Sequence, residues 1–105
     1  MTTKTQESRA LAALGHDARL AVFRLLVQTG GEGLRVGDIA QQLELAPSTL
    51  AHHLTALVDS GLVVQEKVGR EVFNKADYQV VLNLSQFLLS GCCQGVPQSQ
   101  KEDAA

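Results

Sequence analysis

Cys92 and Cys93 stand side by side after a strongly apolar stretch and are the chain's only cysteines. Adjacent thiols are soft donors, suited to trivalent arsenic, antimony, copper(I), zinc or cadmium rather than to calcium or magnesium. Consecutive Cα atoms lie about 3.8 Å apart, below the roughly 4.4–6.8 Å of a relaxed disulfide, so chelation by two reduced thiolates is the favoured intramolecular reading. An intersubunit disulfide, a persulfide and oxidant sensing stay open, as does the bland reading of two small apolar side chains. A second group is Ser48, Thr49, His52, His53 and Thr55. These short hydrogen-bonding side chains alternate with Leu50, Leu54, Leu57 and Val58, which share one helical stripe, so the polar set is expected on the outer face. A helix held by its leucines and showing such groups outward suits the edges of base pairs in a major groove. Lys67 and Arg70 form a third group, cations placed to meet phosphate or enter a minor groove.

The elements that must position these groups follow from the pattern around them. Arg35 to Leu43 is predicted as a short helix, Leu45-Ala46-Pro47 as a tight corner, and the leucine-striped segment as a second helix, which is helix-turn-helix order. Gly61-Leu62 stops that helix and opens an alternating run, Val63 to Val68, answered across Gly69-Arg70 by Glu71 to Asn74. Gly69 at the first central position suits a two-residue type II′ turn, with Arg70 at the tip and Lys67 and Lys75 on the flanks of a wing. Upstream, Thr5 to Leu14 reads as a short helix ended by Gly15, and His16-Asp17 begins an apolar helix through Leu20, Val22, Phe23, Leu25, Leu26 and Val27. Gly30 to Gly33 reads as a loop. Downstream, Asp77 is a good N-cap for a last helix carrying Val80, Val81, Leu84, Phe87, Leu88 and Leu89. Phe23, Phe73 and Phe87 read as core. So apolar a helix at the end of a small domain asks for a large partner surface, and the simplest is the same helix of a second copy, together with the first helix.

The fold class expected is thus mainly α with a small β-hairpin, a winged helix-turn-helix homodimer joined through its N- and C-terminal helices. At 105 residues and 45% hydrophobic content, the chain builds one modest core. Residues 1–95 are expected to form the DNA-binding and dimerisation domain, and residues 96–105 a polar, disordered tail. No apolar run approaches the roughly 20 residues of a membrane span, so no membrane partner is expected. Residues 1–8 lack the apolar stretch of a signal peptide, and two cysteines make no disulfide framework, so a reducing, cytoplasmic location is expected. Formal charge is −2 and pI about 5.8, which argues against indiscriminate nucleic-acid binding. It is compatible with specific binding if a few cations, at the wing and among Arg19, Arg24 and Arg35, are focused on one face and doubled in a dimer. No nucleophile sits beside a base and an orienting acid, and no glycine-rich phosphate loop follows a strand, so no enzyme is expected.

Leu14-Gly15-His16-Asp17-Ala18-Arg19-Leu20-Ala21-Val22-Phe23-Arg24-Leu25-Leu26, then Asp38-Ile39-Ala40, Pro47 to Leu57, and Gly61-Leu62-Val63, together resemble the arsenic-repressor (ArsR/SmtB) family of bacterial winged-helix repressors. The resemblance runs from about Leu11 to about Phe87. It implies a homodimer that sits on palindromic operator DNA and leaves when an inducer binds.

Departures from the family pattern narrow the inducer. Where many members carry a Cys-Val-Cys-Asp metal motif, this chain has Arg35-Val36-Gly37-Asp38, and Asp77 has no histidine at helical spacing after it, so neither family metal site is expected. Ala51 stands where a serine is common before the histidine pair. The chain resembles a branch with an Ala-Pro-x-Thr-Leu recognition helix and a Cys-Cys pair closing the last helix, which implies response to trivalent arsenicals. Inorganic arsenite prefers three sulfurs, so a subunit offering two must borrow a third ligand, accept water, or favour a mono-organic arsenical. No cofactor is required in this reading; trivalent arsenic or antimony enters as an inducer at Cys92 and Cys93. The alternatives are a thiol-redox or persulfide-sensing repressor of the same fold, and a protein–protein interaction module that does not bind DNA. Which of His52 and His53 faces DNA stays open.

Overall fold

Side chains at helix starts decide where this chain turns. In the computed structural model, which describes residues 5–96, the Thr5 hydroxyl accepts the Ser8 amide at 3.1 Å and opens α1 (Gln6–Leu14). His16 opens α2 (Asp17–Thr29), its Nδ1 accepting the Ala18 amide at 3.2 Å, and Asp17 adds a carboxylate to the first turn. After one turn of 3-10 helix, Gly30–Glu32, comes α3 (Val36–Leu43). It ends at Glu44 in the left-handed region, φ 54°, with the Leu45 amide donating back to the Ala40 carbonyl. Pro47 then occupies the first turn of α4 (Pro47–Asp59), where its missing amide costs nothing. The Asp77 carboxylate accepts the Gln79 and Val80 amides at 3.2 and 3.4 Å and opens α5 (Tyr78–Leu89).

Between α4 and α5 lies an antiparallel hairpin, β1 (Val63–Val68) and β2 (Glu71–Ala76), paired from Val63 opposite Ala76 to Val68 opposite Glu71. The second strand runs two residues beyond the Asn74 expected. Gly69 has φ 63° whereas Arg70 keeps a negative φ, the combination of a II′ turn. The hairpin's root is buried at Val63, Asn74 and Ala76, and its tip is exposed.

One core lies under the helix pair. Val22, Phe23 and Leu26 of α2 meet Ile39 of α3, Leu50, Leu54 and Leu57 of α4, and Leu62 and Val63 at the hairpin root, all buried. Spacings of four and three along α4 put its three leucines on one face, which leaves the opposite face free. Beside this core, Leu34 forms a β-bridge to Asn74, with amide–carbonyl bonds of 3.0 and 2.7 Å, so the residues before α3 lie against the wing as a short third strand.

The last helix is different. Of its large side chains Leu84 alone is buried, while Leu82, Phe87, Leu88 and Leu89 are 51–68% exposed. Phe87 is therefore not core within one chain, and Phe73 is only half-buried; Phe23 is buried as expected. Val80, Leu84 and Phe87 follow one another at spacings of four and three and share one stripe, so spacing alone points Phe87 inward. It is exposed because the core reaches Val80, Val81 and Leu84 and does not extend along the helix as far as position 87. Among the described residues no helix is long and apolar enough to cross a membrane. The polar tail expected from residue 96 lies, apart from exposed Val96, outside the described residues.

Candidate nucleic-acid interface and thiol pair

Ser48, Thr49, His52 and Thr55 are all exposed on the outer face of α4, with Ala51 between them. Thr55 donates its hydroxyl proton to the Ala51 carbonyl at 2.9 Å, so it shows the solvent an acceptor and a methyl group. His53 is not among them. At 5% exposure it is buried, a correction to the expected outer set with a simple cause. Position 53 is three residues after Leu50 and four before Leu57, which places it on the leucine stripe rather than opposite. The start of α2 packs there: Arg19 Nε donates to His53 Nδ1 at 3.4 Å, and the His16 ring centroid lies 4.9 Å from that of His53. Arginine only donates, so Nδ1 is an acceptor and the imidazole is neutral with its proton on Nε2. Burial pushes the His53 pKa below the ordinary imidazole value, and His16, Arg19 and His52 push it the same way. The choice between the two histidines is thereby made: His52 faces out, His53 faces in.

On the wing, Lys67 and Arg70 are exposed, and no carboxylate among the described residues pairs with either. Of the other cations considered for this face, Arg24 is exposed and pairs with no carboxylate among the described residues, whereas Arg35, Lys75 and Arg19 are engaged. Arg35 holds Asp38 at 3.1 Å and also Glu71 at the tip end of the wing, and Lys75 holds Glu66 across the hairpin. Hydrogen bonding to Asp38 and Glu71 raises the Arg35 pKa further, and Arg35 in turn lowers that of Asp38. Arg19 is turned to His53. Among the cations considered, those left without a carboxylate or side-chain partner among the described residues are thus Lys67 and Arg70 on the wing and Arg24 on α2.

The thiols sit just past α5 rather than on it. The Cys92 amide donates to the Leu89 carbonyl at 3.0 Å, Gly91 takes φ 76°, and Cys93 takes φ 62° in a turn closed by the Gln94 amide on the Gly91 carbonyl. A left-handed backbone at a residue with a Cβ costs roughly 1–2 kcal/mol. It accompanies an Sγ–Sγ separation of 3.3 Å, with both cysteines exposed. Among the described residues no three His, Cys, Asp or Glu side chains converge as a metal set, so one chain offers a soft, two-sulfur donor pair and no third ligand.

Some participants carry little sequence signal. Nothing local ties Arg35 to Glu71 or Arg19 to His53, because both contacts join elements distant in the chain. Asn74 had one available sign: asparagine is uncommon inside a strand, and its presence there marks a special site.

A two-helix unit with a polar outer face, followed by a hairpin with cations at and near its tip, defines a winged helix-turn-helix transcriptional regulator. Comparison with known proteins agrees. The model of a helix-turn-helix domain family matches residues 14–66, half of the chain. The uncharacterised HTH-type transcriptional regulator YbzH of Bacillus subtilis is 32% identical over 88 residues, covering 72% of this chain and 88% of that one. A putative arsenical resistance operon repressor, ArsR, of Halobacterium salinarum is 33% identical over 60 residues, covering 57% of this chain and 46% of its own length. Among solved structures, an ArsR-like transcriptional regulator from Rhodococcus sp. RHA1 superimposes with a TM-score of 0.72 at 28% identity, covering 79% of this chain and 76% of the other. The chain belongs to the ArsR family of winged helix-turn-helix transcriptional regulators.

Proposed function

We propose that this regulator is a repressor that binds palindromic operator DNA as a homodimer and is released when Cys92 and Cys93 capture a trivalent arsenical, inorganic or organic. The observation carrying the inducer is the pair of exposed sulfurs 3.3 Å apart. With bonds of ~2.3 Å, the length of a zinc–thiolate bond, that separation subtends an angle of about 90°. A lone-pair-bearing trivalent centre keeps its bonds near a right angle; a tetrahedral zinc ion asks for a wider bite. Each sulfur–arsenic bond forms as an As–OH bond breaks, and the thiol proton leaves with that hydroxyl as water.

On DNA, Ser48, Thr49, His52 and Thr55 read base edges while Lys67 and Arg70 hold backbone or minor groove. In the dimer, joined through α1 and α5, two recognition helices enter major grooves about one helical turn, ~34 Å, apart. His53 serves from behind, as packing. Arsenical capture beside the exposed apolar end of α5 alters the dimer contact, and a coupling of ~1–3 kcal/mol lowers operator affinity enough to release it.

The experiment is a fluorescence-polarisation titration with the promoter DNA of the chain's own operon, repeated with arsenite, methyl- and phenylarsenicals, antimonite, zinc, peroxide and persulfide. Release by trivalent arsenicals, abolished by Cys92→Ser with Cys93→Ser while DNA affinity is retained, is the expected result. Release of the double variant places the sensor elsewhere. Release of the wild type by peroxide or persulfide alone moves the inducer to the redox class, and no binding at low salt leaves the interaction-module reading. Thr49→Ala and His52→Ala are expected to relax sequence discrimination, measured as the ratio of specific to random DNA affinity.

A further inference from the structure

We propose that Asn74 is a positioning residue for DNA binding: it latches the wing to the segment that enters the helix-turn-helix, and the hold of Arg70 on DNA depends on that latch. The proposal rests on the DNA-binding reading above. Asn74 is the one fully buried polar residue of the hairpin, with no exposed surface at all. Every hydrogen-bonding atom it has, except one amide hydrogen, is directed at a joint. Its backbone amide and its side-chain Nδ2 both donate to the Leu34 carbonyl, at 2.7 and 3.1 Å, its carbonyl accepts the Leu34 amide at 3.0 Å, and its Oδ1 accepts Gln65 Nε2 at 2.8 Å. One side chain thus ties together both strands of the wing and the approach to α3.

The neighbours are built for the same contact. Gly33 has φ 73°, and a Cβ there would lie 2.5 Å from the Asn74 carbonyl oxygen and 2.7 Å from Lys75 Cγ, so only glycine lets the two backbones come this close. Arg35, two residues on, reaches both Asp38 in the first turn of α3 and Glu71 at the outer end of β2. Three consecutive residues before α3 therefore grip β2 at two points. Between those two points and at its tip the hairpin is exposed along most of β1, so the grip on β2 is what holds it at a fixed angle. A wing free to swing would spread Arg70 over many positions, and its phosphate contact would be averaged away. A buried asparagine satisfied on both sides resists swinging, because any movement leaves amide groups unpaired in a dry site.

The test is a double-mutant cycle on operator affinity, with the salt dependence of binding recorded for each protein. Arg70→Ala in the wild-type background is expected to weaken binding about tenfold and to flatten the log–log salt slope by about one unit per wing. Asn74→Leu, which keeps the volume and removes the polar atoms, is expected to flatten the slope likewise, and adding Arg70→Ala to it is expected to change affinity less than about twofold. Full additivity of the two substitutions, with an unchanged slope for Asn74→Leu, overturns the latch. Circular dichroism verifies the fold; should Asn74→Leu not fold, Gln65→Leu on the exposed strand removes one latch bond, and the same loss of coupling to Arg70 is expected in smaller measure. Additivity there overturns the proposal equally. A wild-type chain that ignores operator DNA defeats both this inference and the reading beneath it, whereas wild-type binding with uncoupled substitutions defeats this inference alone.

Discussion

The two apolar helices α4 and α5 are of nearly equal length, 13 and 12 residues, yet they stand in opposite relations to the core. On α4, Leu50, Leu54 and Leu57 are buried and the outer face is polar; on α5, Leu84 is buried and five apolar or aromatic side chains of equal or larger size, Tyr78, Leu82, Phe87, Leu88 and Leu89, lie open to solvent. The recognition end is complete within one polypeptide. The end that carries the thiols is not, and an apolar surface of that kind marks a place where another surface belongs. Under the function proposed above, a regulator gains from this division, since the part assigned to DNA is packed within one chain while the part assigned to sensing is the one whose packing would depend on association.

The sharpest way to break the comparison is Leu57→Ala. It is expected to cost about 2–5 kcal/mol in thermal or urea unfolding, because the site lies in a dense core that closes poorly over a cavity. A loss of the same size from Leu88→Ala in a dilute, monomeric sample would erase the distinction between the helices. Next in size, Phe87→Glu is expected to weaken self-association by about 2 kcal/mol or more, the range of a buried aromatic anchor, measured by sedimentation. Its effect on the unfolding of the single chain is expected within about 0.5 kcal/mol. An unaltered dimer for Phe87→Glu moves the interface off α5.

The smallest expected effect is a pH dependence that belongs to α4 alone. Folding lowers the His53 pKa, so below the ordinary value of 6.5 the unfolded chain binds a proton that the folded chain resists. The stabilising contribution is full above pH 6.5 and is lost as pH falls from there toward the folded value. His53→Gln is expected to flatten this part of the stability curve, read from urea midpoints between pH 7.5 and pH 5. A curve as steep in the variant as in the wild type would take the proton uptake away from His53.

Much of the fold is written in short-range pattern. The leucine spacing of α4, the proline at its start, the Gly69 turn and the Asp77 cap each act within a few residues, and each gave an element where the structure has one. His53 was misplaced by residue type: its spacing from Leu50 and Leu57 already put it inside, and only its polarity argued otherwise. The ion pairs of Arg35 and Lys75 and the bonds of Asn74 join segments that meet only after folding, so no local pattern announces them. Glu44 and Cys93 adopt left-handed backbones normally left to glycine or asparagine, and at such places the surrounding structure overrules preference. At the thiol turn the residue types were legible and their placement beyond α5 was not.

At the wing's tip two neighbours divide their duties. Gly69 alone absorbs the backbone geometry of the turn, and Arg70 keeps a conformation any amino acid adopts. The tip is therefore an adjustable dial: over evolutionary time, position 70 is free to trade charge for size or neutrality without unmaking the hairpin, and, if Arg70 holds DNA as proposed above, operator affinity can drift up or down at almost no expense to the fold.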